Sequence, residues 1–253
     1  VAKVRLDSQI VTLGLADSRA RAQAIILAGN VTVDGTRVDK AGALVASDAR
    51  VEVRAPAHPY VSRGGVKLAG ALDAFGLDVR GLSCLDVGAS TGGFTDCLLQ
   101  RGAARVVAVD VGYGQIAHKL RIDPRVVVLE RTNARTLEPA AVGGAADLTV
   151  VDASFIALRT LVPALARCTR EGGDLVALVK PQFEVGREVA SRGKGVVRDA
   201  AARLEAVAAA RDSVSEGGFD VVAECDSSLA GPKGNVEAFL RARRVGHAPA
   251  SRL

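Results

Sequence analysis

The chain has 253 residues, 49% of them hydrophobic and 24% charged, with a formal net charge of +5. That length suits one well-packed domain plus a small second one, and the composition excludes disorder as the main state. Aromatic residues make up only 3% and Trp is absent, so base stacking cannot be the dominant binding device, while the positive charge points to a polyanionic partner.

The charge is uneven: residues 1–67 hold ten Lys/Arg against six Asp/Glu, a net +4. A solvated basic face would give the same count. Four cysteines (Cys84, Cys97, Cys168, Cys225) lack C-x-x-C spacing, and the three histidines (His58, His118, His247) are isolated. A reduced, cytoplasmic protein without a metal site is expected. No signal peptide opens the sequence, and every apolar stretch meets a charge before the ~20 residues a membrane helix needs.

In chain order, Leu6, Ile10 and Leu13 fall at helical spacing and stop at Gly14. Asp17 and Ser18 cap a second helix with Ala22, Ile25 and Ile26 on its apolar face, ended by Gly29-Asn30. Val31–Val33, an Asp34-Gly35 turn and Arg37-Val38 read as a hairpin, and Arg50–Val53 as a further strand. The prolines of Ala55-Pro56-Ala57-His58-Pro59 mark a linker, and a helix follows from about Gly65, with Leu68, Leu72 and Phe75 on one face. Expected domains are therefore 1–57, a linker at 58–64, a main domain at 65–245 and a frayed tail at 246–253.

From residue 82 the pattern becomes strands alternating with helices. Cys84–Val87, Arg105–Asp110, Val126–Leu129, Leu148–Asp152 and Leu175–Lys180 are strand-length apolar runs. Helices are expected near 92–101, 115–121, 157–168 and 199–215, and closing strands near 219–226 and 236–243. This alternation predicts an α/β domain around a mostly parallel sheet covered on both faces.

The segment Leu85-Asp86-Val87-Gly88-Ala89-Ser90-Thr91-Gly92-Gly93-Phe94 places an acid at a strand end, then a glycine turn, then a helix start. Glycines admit a ligand close to the backbone, and a second strand ends in Asp110, where a carboxylate can accept from ribose hydroxyls. The spacing of Gly88, Gly92 and Gly93 does not match G-x-G-x-x-G, which weakens a dinucleotide reading without by itself selecting another nucleotide-type cofactor. Asp152 and Lys180 end two more strands, so Asp86, Asp110, Asp152 and Lys180 should converge on one crevice at the carboxyl edge of the sheet. Plain alternatives are a helix cap for Asp152 and a surface position for Lys180. A lysine ending an apolar strand is a candidate base, because desolvation disfavours its charged form.

Several strings together resemble the TlyA family. They include Tyr60-Val61-Ser62-Arg63-Gly64-Gly65-Val66-Lys67-Leu68, Gly88–Thr95, Asp110-Val111-Gly112-Tyr113-Gly114-Gln115 and Arg131-Thr132-Asn133-Ala134-Arg135. Asp152–Ile156, Lys180–Gly186 and Gly234-Asn235-Val236-Glu237 complete the set in order along nearly the whole chain. The resemblance implies an S4-like RNA-binding domain before a Rossmann-like, FtsJ-type class I methyltransferase domain with a seven-stranded sheet. It also implies an S-adenosylmethionine-dependent 2′-O-methyltransferase of ribosomal RNA, acting on cytidine ribose.

The implied catalytic tetrad falls on Lys67, Asp152, Lys180 and Glu237. Without the resemblance, Lys67 reads as a solvent-facing helix residue and Glu237 as an edge-strand charge. Implied cofactor contacts are Asp86, Gly88, Ser90, Gly92, Gly93, Phe94, Asp110, Asn133 and Asp152, and implied RNA contacts are Lys3, Arg5, Ser18, Arg19 and Arg63. Arg5–Asp7 and Asp17–Arg19 could equally be surface ion pairs. Two other functions compete: an RNA-binding assembly factor with a vestigial site, and a membrane-active haemolysin, as the family's frequent label suggests. The intact tetrad opposes the first, and the lack of an aromatic-anchored amphipathic segment opposes the second.

Overall fold

The computed structural model describes residues 2–16, 18–27, 29–53, 58–185, 196–231 and 234–246. Expectations for Asp17, for residues 55–57 and for the tail beyond Gly246 lie outside these residues. The chain divides into two compact units, Val1–Pro59 and Tyr60–Leu253.

In the first unit, β1 (Lys3–Arg5) leads into α1 (Leu6–Thr12) and α2 (Arg19–Leu27), followed by β2 (Val31–Val33), β3 (Thr36–Arg37), β4 (Leu44–Ala46) and β5 (Val51–Val53). Leu6, Ile10, Ala22, Ile26 and Val31 form its fully buried centre. Asp34 and Gly35 both adopt positive φ, as a two-residue hairpin turn requires. Two details depart from the periodicity. Leu13 lies past the end of α1 and is exposed, because Gly14 turns the chain away in a left-handed conformation. The β1–β4 pair has only three residues a side, too few to leave a periodic signal.

The second unit is a seven-stranded sheet with two helical layers. Its elements are α3 (Arg63–Ala74), β6 (Ser83–Val87), α4 (Gly93–Gln100), β7 (Arg105–Val109), α5 (His118–Arg121), β8 (Val126–Leu129), α6 (Pro139–Val142), β9 (Ala146–Val151), α7 (Val162–Cys168), β10 (Thr169–Val179), α8 (Pro181–Glu184), α9 (Ala200–Glu216), β11 (Phe219–Asp226) and β12 (Ala238–Arg244). The strand order is β11-β12-β10-β9-β6-β7-β8, parallel from β10 to β8, with β12 antiparallel to both of its neighbours. Period-two alternation feeds two cores: Leu85, Val87, Val107 and Val109 face one, with α7 and α9, while Cys84, Val106 and Ala108 face the other, with α3 and α4.

Boundaries shift in ways that matter for the site. Helix α3 starts at Arg63, inside the expected linker, and the expected 157–168 helix is a 3₁₀ turn at Leu158–Thr160 followed by α7. Asp110, Asp152 and Lys180 each stand one residue beyond their strand; the Asp110 and Asp152 amides still donate to the neighbouring strands, at Leu129 and Val87, both at 3.0 Å.

Candidate active site

Asp86 is fully buried at the end of β6. Its Oδ2 accepts from the Thr95 amide at 2.9 Å and the Thr95 hydroxyl at 2.6 Å, clasping the first turn of α4. Its Oδ1 is buried without a hydrogen-bond partner. Burial pushes this carboxyl up to about 7, opposed by the Thr95 hydrogen bonds and reinforced by the nearby charges of Asp152 and Asp110.

The glycines of the turn are required by close packing as much as by any ligand. A Cβ on Gly88, where φ is +86°, would stand 2.7 Å from the Asp152 carbonyl oxygen. One on Gly93 would meet the Ser62 hydroxyl at 2.2 Å and the Gly65 nitrogen at 3.0 Å, so this glycine lets α4 approach the start of α3. Phe94 departs from the expected cofactor contact: its side chain is core, 6.1 Å from Phe239 between ring centroids, which leaves only its backbone for a ligand.

Asp110 accepts from the Ser90 amide on Oδ2 and the Gly112 amide on Oδ1, each at 2.7 Å. A carboxylate oxygen can take a second donor, so this grip orients Asp110 without exhausting it. Asn133 accepts from the Arg135 amide at 3.1 Å and so caps the short turn after β8. In the second unit three described non-glycine residues past strand ends, Ser90 (φ +47°), Arg131 (φ +53°) and Phe155 (φ +65°), sit in the left-handed region. Such strain persists where surrounding bonds hold it and often marks a functional edge; Arg131, for instance, donates its amide to Gly112 at 3.0 Å.

Beside the turn stand two lysine–carboxylate pairs. Lys67 of α3 and Glu237, which immediately precedes β12, are both buried and lie 2.5 Å apart. Lys180 lies 2.5 Å from Asp152 Oδ1 as an ion pair and donates to the Ser154 hydroxyl at 2.8 Å. The ladder joins the pairs. Val179 faces Ala238, so the next step in register sets Lys180 opposite Glu237, and Asp152 follows the adjacent β9. Glu237 therefore leads into an interior strand rather than an edge one, and Lys67 is buried rather than facing solvent. Ser154 was absent from the sequence-based site; its place two residues after Asp152 was the available signal.

Thus four separated segments deliver two ammonium groups and two carboxylates to the carboxyl edge of the parallel strands. Residues 60–244 match the model of the FtsJ-like methyltransferases, and residues 4–51 match the S4 domain. The 16S/23S rRNA (cytidine-2'-O)-methyltransferase TlyA of Mycobacterium tuberculosis is 52% identical over 94% of this chain and 89% of its own length. The chain belongs to the TlyA family. Hemolysin A of Brachyspira hyodysenteriae is 40% identical over 92% of this chain and 97% of its own length. A solved structure described as a hemolysin from Streptococcus thermophilus superposes with a TM-score of 0.75 at 38% identity, covering 98% of this chain and 92% of that one. Among the described residues no helix is long and apolar enough to cross a membrane.

In the S4 unit, Arg5 and Arg19 converge on buried Asp7. Arg5 donates to it at 3.1 and 2.8 Å, Arg19 at 3.1 Å and Gln23 at 2.9 Å. The Arg5 hydrogen bond leads the group in holding the Asp7 carboxyl well below the usual range. The Arg5–Asp7 pair weighed as a plain alternative thus exists, yet the two arginine side chains remain 48% and 57% exposed. Lys3 is exposed on β1, and Ser18 accepts from the Arg21 amide at the start of α2. Arg63 falls in the second unit, where it donates to the Ala230 carbonyl at 2.8 Å.

Proposed function

We propose that the chain is an S-adenosylmethionine-dependent 2′-O-methyltransferase of ribosomal RNA that acts on cytidine ribose, in the cytoplasm. The observation that carries this reading is the juxtaposition of Asp152–Lys180 and Lys67–Glu237 beside a glycine turn whose acid, Asp86, has an unmatched buried oxygen. The residues fit the cofactor: Asp86 Oδ1 can take an ammonium hydrogen, and three carboxylates suit a cationic molecule better than a phosphate. Asp86, Gly88, Ser90, Gly92, Gly93, Asp110, Asn133, Asp152 and the Phe94 backbone would hold it. When bound, S-adenosylmethionine supplies an electrophilic methyl group on a positively charged sulfur.

Lys180 removes the proton of the attacking ribose 2′-hydroxyl at Nζ. Asp152 and Ser154 fix where that nitrogen points. Lys67 and Glu237 hold the ribose and set the charge around Lys180. Lys3, Arg5, Ser18, Arg19 and Arg63 bind RNA phosphates, with Arg5 and Arg19 pre-oriented by Asp7.

Radiolabelled methyl transfer to ribosomal subunits tests the reading. A Lys180→Ala chain should lose transfer by about 100-fold or more, while calorimetry finds cofactor affinity nearly unchanged. Full transfer rate in that variant would remove Lys180 as the base, and no cofactor heat with the unaltered chain would mark the site as vestigial.

A further inference from the structure

Glu184 has no part in the tetrad or in the cofactor turn. It ends α8, the single helical turn that begins immediately after Lys180. Its Oε1 accepts the Leu158 amide at 2.8 Å, and Leu158 opens the 3₁₀ turn at the end of the loop that begins at Asp152. Between the two segments is a small pocket lined by Val151, Ile156, Leu161 and Leu178, to which Lys180 and Glu184 contribute the charged side chains. Burial in this apolar setting pushes the Glu184 carboxyl up, while the Leu158 amide and Arg159 oppose the shift.

A partly buried acid facing alkyl groups carries a desolvation cost that an apolar side chain of the same volume would not. What this acid does is join two chain segments. One carries Asp152, Ser154 and Phe155; the other carries Lys180 and Phe183. The β9–β10 pairing ends at Ala177 and Val151, so that ladder does not set the relative placement of the two segments beyond their strands. The contacts between them past that point are Asp152–Lys180, Ser154–Lys180, the Phe155–Phe183 ring pair at 5.3 Å, and Glu184–Leu158. Of these, the last ends on a backbone amide and so acts directly on the loop's main chain.

We propose that Glu184 is a positioning residue that clamps the Asp152 loop to the Lys180 turn and so fixes the lysine–carboxylate pair for proton removal. This rests on the catalytic reading of Lys180 and Asp152. The clamp needs an acceptor at the reach of a glutamate side chain and does not need the charge.

Three variants separate that role from filling space. Glu184→Gln keeps the reach and the acceptor, and should retain kcat within about twofold. Glu184→Met fills the pocket without accepting, and Glu184→Asp keeps the acid one methylene short. Both should lower kcat about tenfold or more, with cofactor affinity by calorimetry and KM for the ribosomal substrate little changed. Thermal melts should show Glu184→Met at least as stable as the unaltered chain, so that lost rate cannot be ascribed to lost fold. Unaltered kcat in Glu184→Met would overturn the inference, as would a Glu184→Gln chain as slow as Glu184→Met. Should the Met variant fail to fold, the Gln and Asp pair still decides, since equal rates in those two would overturn it as well. Absence of methyl transfer by the unaltered chain would sink the catalytic reading itself, whereas an active unaltered chain matched by Glu184→Met sinks only the clamp.

Discussion

Asp86 shows what a residue's surroundings add to its identity. The sequence marks it as an acid at a strand end, but nothing in the string says that it is fully enclosed with one oxygen unmatched. Enclosure raises its folded pKa to about 7 from the usual 3.8. The sign follows: as pH rises through about 4 to 7 the unfolded carboxyl gives up a proton that the folded one keeps, so this group's contribution to stability falls across that window and is level above it. Asp86→Asn is neutral throughout. Denaturant melts at intervals of pH should therefore show the stability of the unaltered chain, relative to that variant, declining between pH 4 and 7 and then holding constant. Parallel curves for the two proteins would mean that Asp86 ionises as an exposed carboxyl does.

At the level of elements, the pair between α3 and β12 bridges parts of the chain 170 residues apart. Apolar periodicity foretold both elements but not the pairing, because Lys67 and Glu237 break the apolar pattern and look like surface charges. Their burial makes a definite energetic statement. Removing one partner strands the other charge, at a cost of about 3–5 kcal/mol, while replacing both with apolar groups is often neutral or better. Lys67→Met alone should be strongly destabilised in urea melts, and Lys67→Met with Glu237→Leu should recover most of the loss. Methyl transfer should stay lost in both. A single variant as stable as the double one would show that the buried glutamate carries no uncompensated charge. Short elements escaped the sequence for a simpler reason: β1 and β4 span three residues each, too few to establish an alternation that could reveal them.

For the whole molecule, the excess positive charge in the first 67 residues predicts RNA affinity that weakens with salt. Arg5 and Arg19 are each half committed to Asp7, which spares them the entropy of finding a geometry while leaving exposed guanidinium edges for phosphate. Each phosphate contact contributes a slope of about −0.9 in log K against log salt on duplex nucleic acid, and less on single strands. Filter binding with ribosomal RNA should show Arg5→Ala with Arg19→Ala flattening the slope by one to two contacts' worth, with S-adenosylmethionine binding untouched. An unchanged slope would return these arginines to a purely structural role around Asp7.

The sequence by itself determined the two-domain plan, the alternation that makes a mostly parallel sheet, the glycine turn after Asp86, and acids and a lysine at neighbouring strand ends. Those are local properties, written in periods of two and 3.6 residues and in the turn chemistry of glycine. Through the TlyA resemblance it also yielded the tetrad by position. Only the tertiary structure decided which charges are buried together, that Phe94 belongs to the core, that Arg5 and Arg19 share Asp7, and that Glu184 reaches the Leu158 amide. Burial and pairing depend on segments distant in the chain, and no local pattern encodes the partner of a charge.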